Sequence, residues 1–183
     1  ENNIYTYASV LGILSCGACY VPLNYDNPVE RNSGIIADAG IKVLLYTEKE
    51  DKARELSVSA GTECRPVNNR VTPNPGKLTP VDQMHRDLCY LLFTSGTTGK
   101  PKGVVLTHGN LIANVDSCQR AGEFDHRDSF LCLLPFFHTY AITGTLLLPL
   151  FNGSKIVLVD RFHPAKVLKL IQDHRISVFM AIP

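Results

Sequence analysis

Apolar residues along this chain follow two patterns, a helical periodicity and short continuous runs. Residues 5–16 are apolar at most positions and precede Gly17, which predicts a well-buried helix that ends at this glycine. Further periodic segments predict helices at residues 27–40, 47–58, 107–118, 138–151 and 164–171. Short apolar runs bounded by turn residues predict strands at residues 19–23, 41–46, 63–67, 88–93, 104–106, 129–134, 155–159 and 176–182.

Four residues set the predicted ends of these helices. Asn27 and Thr47 are the predicted N-caps of the second and third helices, each followed three residues later by a glutamate that can reach back. Gly40 is predicted to end the second helix and Gly153 to close the helix that covers residues 138–151.

The regular alternation of strands and helices predicts an α/β fold, with mainly parallel sheets flanked by helices on both faces. Residues 68–83 are rich in proline and poor in apolar side chains, which predicts an exposed loop. The polar break at residues 122–128 predicts a boundary between a first lobe, residues 1–124, and the incomplete start of a second, residues 125–183.

The overall charge and hydropathy argue against nucleic acid and membrane as binding partners. A net charge of +1 gives no broad electrostatic basis for binding nucleic acid or an anionic membrane. The apolar stretch 130–151 is long enough to span a bilayer, but Pro135, His138 and Pro149 interrupt it. We therefore predict no transmembrane segment and a small-molecule ligand.

The six cysteines occur mostly singly within apolar runs, where a free thiol behaves as a small apolar side chain. This pattern predicts a reducing compartment, the cytoplasm. Cys16 and Cys19 have the spacing of a redox motif or half of a zinc site. No second close pair and no nearby histidine accompanies them, so no metal site is predicted.

Residues 94–103, with the sequence TSGTTGKPKG, form a polar segment between two apolar runs. It contains four hydroxyl side chains, three glycines and two lysines: Thr94, Ser95, Thr97 and Thr98; Gly96, Gly99 and Gly103; Lys100 and Lys102. Glycines let the backbone approach a ligand and turn its amides toward a phosphate, while the lysines supply countercharge. The pattern predicts a strand, a polyphosphate-binding loop and a second strand. The alternative is a polar surface turn without a ligand.

Two well-known phosphate motifs do not fit this segment. A Walker loop would need Gly-Lys-Ser/Thr leading into a helix, but Pro101 follows Gly96 at the place of the second glycine, and an apolar run follows the segment. The dinucleotide fingerprint needs glycines at its first, third and sixth positions, and the chain supplies no such spacing.

The segment resembles the TSGTTG-x-PKG signature of adenylate-forming enzymes, a family of acyl- and aryl-CoA synthetases, luciferases and peptide-synthetase adenylation domains. Other family-like elements occur in the expected order: GACYVPL at residues 17–23, NPVER at 27–31, THGNL at 107–111, LPFFH at 134–138 and FMAIP at 179–183. The resemblance thus covers the whole chain. It implies part of the large N-terminal domain of such an enzyme.

The resemblance also implies roles for individual residues. Thr94, Ser95, Gly96, Thr97, Thr98, Gly99, Lys100 and Lys102 would bind the β- and γ-phosphates of ATP, with Lys102 more important than Lys100. Lys102 and His138 would be the catalytic residues, with His138 closing or orienting the acyl and adenylate site. The competing interpretation of His138 is a core histidine that caps a helix. Ala141 replaces a glycine of the family pattern, and its methyl group is expected to narrow or redirect the acyl pocket.

The function implied is that of an acyl-CoA synthetase. Such an enzyme uses ATP and Mg²⁺ to convert a carboxylic acid, here fatty or otherwise apolar, to an acyl-adenylate and pyrophosphate. A thiol such as coenzyme A, whose site lies outside this chain, then accepts the acyl group. Open alternatives are an aryl-CoA ligase, a peptide-synthetase adenylation domain and, in another class, a non-catalytic nucleotide-binding fragment. The family's downstream magnesium, ribose and lysine residues cannot be placed here, so we expect an inner portion of a longer enzyme that is inactive alone.

Overall fold

The computed structural model describes residues 3–68, 81–82, 84–95 and 101–181, with Ser95 described by its backbone alone. The predicted loop 68–83 lies for the most part outside these residues. Strands are β1 (Val43–Tyr46), β2 (Glu63–Pro66), β3 (Leu88–Ser95), β4 (Pro101–Thr107), β5 (Ser129–Cys132), β6 (Lys155–Leu158) and β7 (Val178–Phe179). Helices are α1 (Ile4–Ser15), α2 (Val29–Ala39), α3 (Glu50–Ala60), α4 (His108–Gly122), α5 (Thr139–Ala141), a π-helix (Ile142–Leu147), α6 (Leu148–Asn152) and α7 (Pro164–His174).

The chain divides into two compact units. One contains Ala8–His108, and the other contains Glu1–Tyr7 together with Gly109–Pro183. The lobe boundary at residues 124 and 125 stays a prediction.

The unit Ala8–His108 carries two two-stranded sheets. Strands β1 and β2 are parallel, with Val43 opposite Glu63, while β3 and β4 form an antiparallel hairpin. Tyr20 makes a single parallel bridge to Tyr90 of β3.

The predicted strand 19–23 is wrong in its extent, because only this one bridge forms. Tyr20 N–H donates to the Cys89 carbonyl at 2.9 Å, and the Tyr20 carbonyl accepts from Leu91 N–H at 3.0 Å. In a parallel ladder the next amide donor would be residue 22. Pro22 has no N–H, so the pairing stops there.

The C-terminal ends of α2 and α6 lie where the sequence predicts them, but two predicted N-terminal ends do not. Gly40 and Gly153 close α2 and α6 in the left-handed region, with φ of 62° and 71°. The predicted cap at Asn27 is wrong: Pro28 is the N-cap residue of α2, without a side-chain cap. The Asn27 amide instead donates to Asn32 Oδ1 at 3.1 Å, and Asn32 donates to the Asn24 carbonyl at 2.9 Å.

Helix α3 likewise begins later than predicted. Lys49, not Thr47, is its N-cap residue. Glu50 and Asp51 then occupy the first turn, where negative charge interacts favourably with the helix dipole.

The other unit is built on a three-stranded parallel sheet with β5 at its centre, between β6 and β7. Phe130 and Leu131 are fully buried, and successive strand residues point to opposite faces. Leu131 packs with Val167 of α7, while Phe130 packs with residues of α4 and α6. This sheet therefore has helices on both faces, as the sequence predicts.

The predicted helix 138–151 is present but is not a regular α-helix. Its central residues, Ile142–Leu147, form a π-helix between two short α-helical segments. Pro149 has no N–H, so it cannot make the α-helical hydrogen bond to the Thr145 carbonyl. Within the part of the chain that the structure describes, no helix is long and apolar enough to cross a membrane.

Gly122, at the end of α4, makes room for the ring of Phe124. A Cβ at residue 122 would lie 2.2 Å from that ring, which packs edge to face on Phe130 with centroids 5.5 Å apart. We expect Gly122→Ala to displace Phe124 and to lower the free energy of unfolding by about 1–3 kcal/mol, as measured by denaturant titration.

Gly34 in α2 provides the control, because nothing lies within 4 Å of a Cβ added there. Gly34→Ala should raise the free energy of unfolding by about 0.5–1 kcal/mol. Equal stability of Gly122→Ala and the unmodified chain would contradict the packing role of Gly122.

Candidate phosphate-binding site

The two predicted strands are confirmed, but the predicted loop 94–103 is wrong in its extent, because both strands continue into it. Strand β3 runs to Ser95, and β4 begins at Pro101, directly opposite it. Five of the predicted phosphate contacts, Gly96, Thr97, Thr98, Gly99 and Lys100, lie outside the described residues. Their roles, and that of the Ser95 side chain, stay predictions.

The hairpin register places Thr94 and Lys102 directly opposite each other. Cross-strand partners in an antiparallel pair lie on the same face, with Cβ atoms about 5 Å apart. Both residues are exposed. A neutral hydroxyl and an ammonium group therefore flank residues 96–100 from the two strands, as a site for an anion would require.

The hairpin has its own structural basis. Cys89 and Tyr90 of β3 are buried, and the Tyr90 ring stacks on Tyr20 with centroids 5.7 Å apart. Gly103 lies opposite Phe93, and a Cβ added there would lie 3.4 Å from the Phe93 ring, an ordinary contact. Neither packing nor a positive φ therefore requires glycine at residue 103.

His138 lies beyond the carboxyl end of β5, the central strand of its sheet. Ligands of parallel α/β sheets commonly bind beyond this end of the strands. The His138 N–H donates to the Pro135 carbonyl at 3.1 Å, and its carbonyl accepts from Ala141 N–H at 3.0 Å. The side chain is exposed beside the Phe137 ring, with centroids 4.6 Å apart. His138 is the N-cap residue of α5, without a side-chain cap, so of the alternative interpretation the position at a helix end is confirmed and the place in the core is wrong.

Ala141, the departure from the family pattern, is fully buried. Its carbonyl accepts a hydrogen bond from the Thr145 hydroxyl at 2.7 Å. The expected effect of its methyl group on an acyl pocket stays a prediction.

The sequence did not single out Tyr7 or Thr145, although the structure brings both close to the His138 segment. Tyr7 packs edge to face on Phe136, with centroids 4.7 Å apart, and its hydroxyl donates to the Thr145 carbonyl at 3.2 Å. The available signal was Pro149, four residues after Thr145, because it leaves that carbonyl without its α-helical donor.

The state of the cysteines is relevant to the redox motif or zinc site that the spacing of Cys16 and Cys19 suggests. All six are free thiols. Burial raises the pKa of Cys19, and burial followed by the proximity of Cys19 raises the pKa of Cys89 to about 11. Both thiols are thus protonated near neutral pH, which makes them poor nucleophiles. Among the described side chains, no group of three or more His, Cys, Asp or Glu residues is placed to hold a metal ion.

The chain is similar in sequence to known CoA ligases and peptide synthetases. The chain is 39% identical over 201 residues to 4-coumarate–CoA ligase 3 of Arabidopsis thaliana, covering 100% of this chain and 36% of that protein. It is 30% identical over 189 residues to tyrocidine synthase 3 of Brevibacillus parabrevis, covering 100% of this chain and 3% of that protein.

Among solved structures, ATP-bound MatB from Rhodopseudomonas palustris matches with a TM-score of 0.85 and 25% identity, over 99% of this chain and 37% of that one. The chain thus spans about a third of the length of the CoA ligase and of MatB. The sequence model of the AMP-binding enzymes matches residues 1–183. This chain therefore belongs to the family of AMP-binding, or adenylate-forming, enzymes.

Proposed function

We propose that this chain is part of an acyl-CoA synthetase, an ATP-dependent acid–thiol ligase. The carboxylate of the acid attacks the α-phosphorus of ATP, the bond to pyrophosphate breaks, and a thiol such as coenzyme A later displaces AMP from the acyl-adenylate. The observation that carries this proposal is the pairing of Thr94 with Lys102 across the hairpin that bounds residues 96–100.

The first step brings two anions together and leaves additional negative charge on the departing pyrophosphate. Fixed donors and cations lower the free energy of that transition state most when they are already in place. Lys102 and Thr94 extend from paired strands, so their backbone positions are set before a ligand binds. Together with Ser95 and residues 96–100, they would hold the β- and γ-phosphates.

Magnesium would share the charge on these phosphates. Mg²⁺ is commonly bound through phosphate oxygens and only one or two carboxylates, so a phosphate-binding hairpin without its own cage of acidic side chains fits the ion. This chain's contribution would be to hold the phosphates that bind the metal. Coenzyme A would bind outside this chain.

His138 would close or orient the acyl and adenylate site. Its exposed ring lies beyond the carboxyl end of β5, and its backbone is fixed by hydrogen bonds on both sides of the turn. The helical run that begins one residue later is apolar, with Ile142 and Leu146 buried, which favours a fatty or otherwise apolar acid.

An aryl acid is the second candidate, because the relative with 39% identity over the whole chain is a 4-coumarate–CoA ligase. Acyl-adenylate formation by the complete gene product should be measured with aliphatic acids of graded length, cinnamic-type acids and amino acids. A preference for aliphatic acids supports our assignment. A preference for cinnamic-type acids supports the aryl ligase, and a preference for amino acids would indicate a peptide-synthetase domain.

The remaining alternative is a nucleotide-binding fragment without catalysis. ATP binding and acyl-adenylate formation should be compared between these 183 residues and the complete gene product. We expect weak ATP binding by the isolated chain and turnover only by the complete protein. Sustained turnover by the isolated chain would show that the downstream residues are not needed, and binding without turnover by the complete protein would favour the non-catalytic alternative.

A further inference from the structure

Three side chains that the proposed chemistry does not use form a buried polar cluster beside the π-helix. The Thr145 hydroxyl donates to the Ala141 carbonyl at 2.7 Å and lies 3.1 Å from Cys132 Sγ. The Tyr7 hydroxyl donates to the Thr145 carbonyl at 3.2 Å. Tyr7, Cys132 and Thr145 are all at most 5% exposed.

The hydrogen bond between Thr145 and Cys132 has a direction that follows from the other contact of the threonine. Since the single proton of the Thr145 hydroxyl goes to Ala141, the Cys132 thiol must be the donor to Thr145 Oγ1. Burial is the main cause that raises the pKa of both Tyr7 and Cys132, so each keeps its proton. The cluster is therefore neutral.

The Tyr7 hydroxyl reaches a helix carbonyl that lacks its α-helical donor. Pro149, four residues after Thr145, cannot supply the α-helical hydrogen bond to the Thr145 carbonyl. The Tyr7 O–H supplies a donor at this carbonyl instead. The bond joins two residues 138 positions apart and holds the π-helical segment to Tyr7 within one compact unit.

Tyr7 and Thr145 contact the chain on both sides of His138. On the N-terminal side, the Tyr7 ring packs on Phe136, two residues before the histidine. On the C-terminal side, the Thr145 hydroxyl binds the carbonyl of Ala141, whose N–H donates to the His138 carbonyl.

We propose that Tyr7 and Thr145 are positioning residues for His138, since their hydrogen bonds and the Tyr7–Phe136 contact hold both ends of the turn that presents the histidine ring. This inference rests on the role proposed above for His138 in adenylation. Neither residue touches the reacting atoms in this scheme. They act through the orientation of the imidazole.

Tyr7→Phe tests the proposal, because it removes the hydroxyl and keeps the ring on Phe136. In the complete gene product we expect about a tenfold fall in kcat for pyrophosphate exchange, since a misplacement of about 1 Å can cost about a hundredfold. The KM for ATP should not change, because the phosphate-binding residues are untouched. Tyr25→Phe is the matched control, because Tyr25 is exposed and lies in the other unit.

The same substitution should be made in a His138→Ala background. We expect Tyr7→Phe to cause no further loss there, because its effect passes through the histidine. If Tyr7→Phe lowers kcat by the same factor with and without His138, the positioning role is wrong.

A spectroscopic measurement separates this inference from the proposed function. In the complete gene product, Tyr7→Phe should shift the NMR signal of the His138 imidazole, assigned by its loss in His138→Ala, and Tyr25→Phe should not. An unmoved signal overturns the positioning role. If His138→Ala retains the full rate of pyrophosphate exchange and Tyr7→Phe shifts the His138 signal, the catalytic role of His138 fails but its positioning by Tyr7 stands.

Discussion

Lys102→Ala in the complete gene product is expected to lower the rate of pyrophosphate exchange by about 10²- to 10³-fold, the loss typical for one fixed donor to a developing charge. The lysine lies on β4 opposite Thr94, at the end of the hairpin that borders residues 96–100. Its side chain is exposed, so its removal leaves no buried cavity. Circular dichroism and thermal melting should therefore show an intact fold.

Lys169→Ala is the matched control, since Lys169 is an exposed lysine on α7. It removes the same charge and should exchange pyrophosphate at the unmodified rate. Thr94→Val should cause a smaller loss than Lys102→Ala, because a neutral hydroxyl makes weaker hydrogen bonds to phosphate than an ammonium group does. Exchange at the unmodified rate in Lys102→Ala would remove the role we assign to this lysine.

Phe130→Ala is expected to have the largest effect on stability, a loss of about 3–5 kcal/mol in the free energy of unfolding. Phe130 is fully buried in the central strand β5, where it packs with Val115 and Leu148 and meets the edge of Phe124. Alanine would leave a cavity between the sheet and two helices. A loss of this size is a large part of the total stability of an ordinary domain, about 5–15 kcal/mol.

Phe162→Ala provides the comparison, because its side chain is 64% exposed. Its effect should stay within about 0.5 kcal/mol, as is usual for surface positions. Both variants are to be measured by denaturant titration with the unmodified chain alongside. Equal losses for Phe130→Ala and Phe162→Ala would contradict the place of β5 at the centre of the core.

Much of this fold follows from local patterns in the sequence. The apolar run at residues 130–134 predicts a buried strand, and all four residues of β5 are buried. Gly40 and Gly153 end helices because a left-handed residue is needed there. The polar segment between two apolar runs likewise predicts two strands and a loop, whereas the antiparallel pairing that places Thr94 opposite Lys102 does not follow from that pattern.

Features that depend on particular side-chain contacts or on distant residues could not be predicted in the same way. Asn27 is a good N-cap by local rules, but its amide bonds to Asn32 instead. The end of the pairing at Pro22 depends on where Tyr20 meets β3. Pro149 indicates locally that the Thr145 carbonyl lacks its α-helical donor, but no local pattern indicates that Tyr7, 138 positions away, contacts that carbonyl.

The role of Lys102 is tested most directly by comparing the affinities of the protein for ATP and for AMP with and without this lysine. Binding of both nucleotides to the complete gene product should be measured by isothermal titration calorimetry, for the unmodified protein, Lys102→Ala and Lys169→Ala. Because Lys102 is assigned to the β- and γ-phosphates, Lys102→Ala should weaken the binding of ATP by about tenfold or more and leave the binding of AMP unchanged. Lys169→Ala should bind both nucleotides as the unmodified protein does. Equal weakening of ATP and AMP, or no weakening of ATP, would contradict the phosphate-binding role of this hairpin.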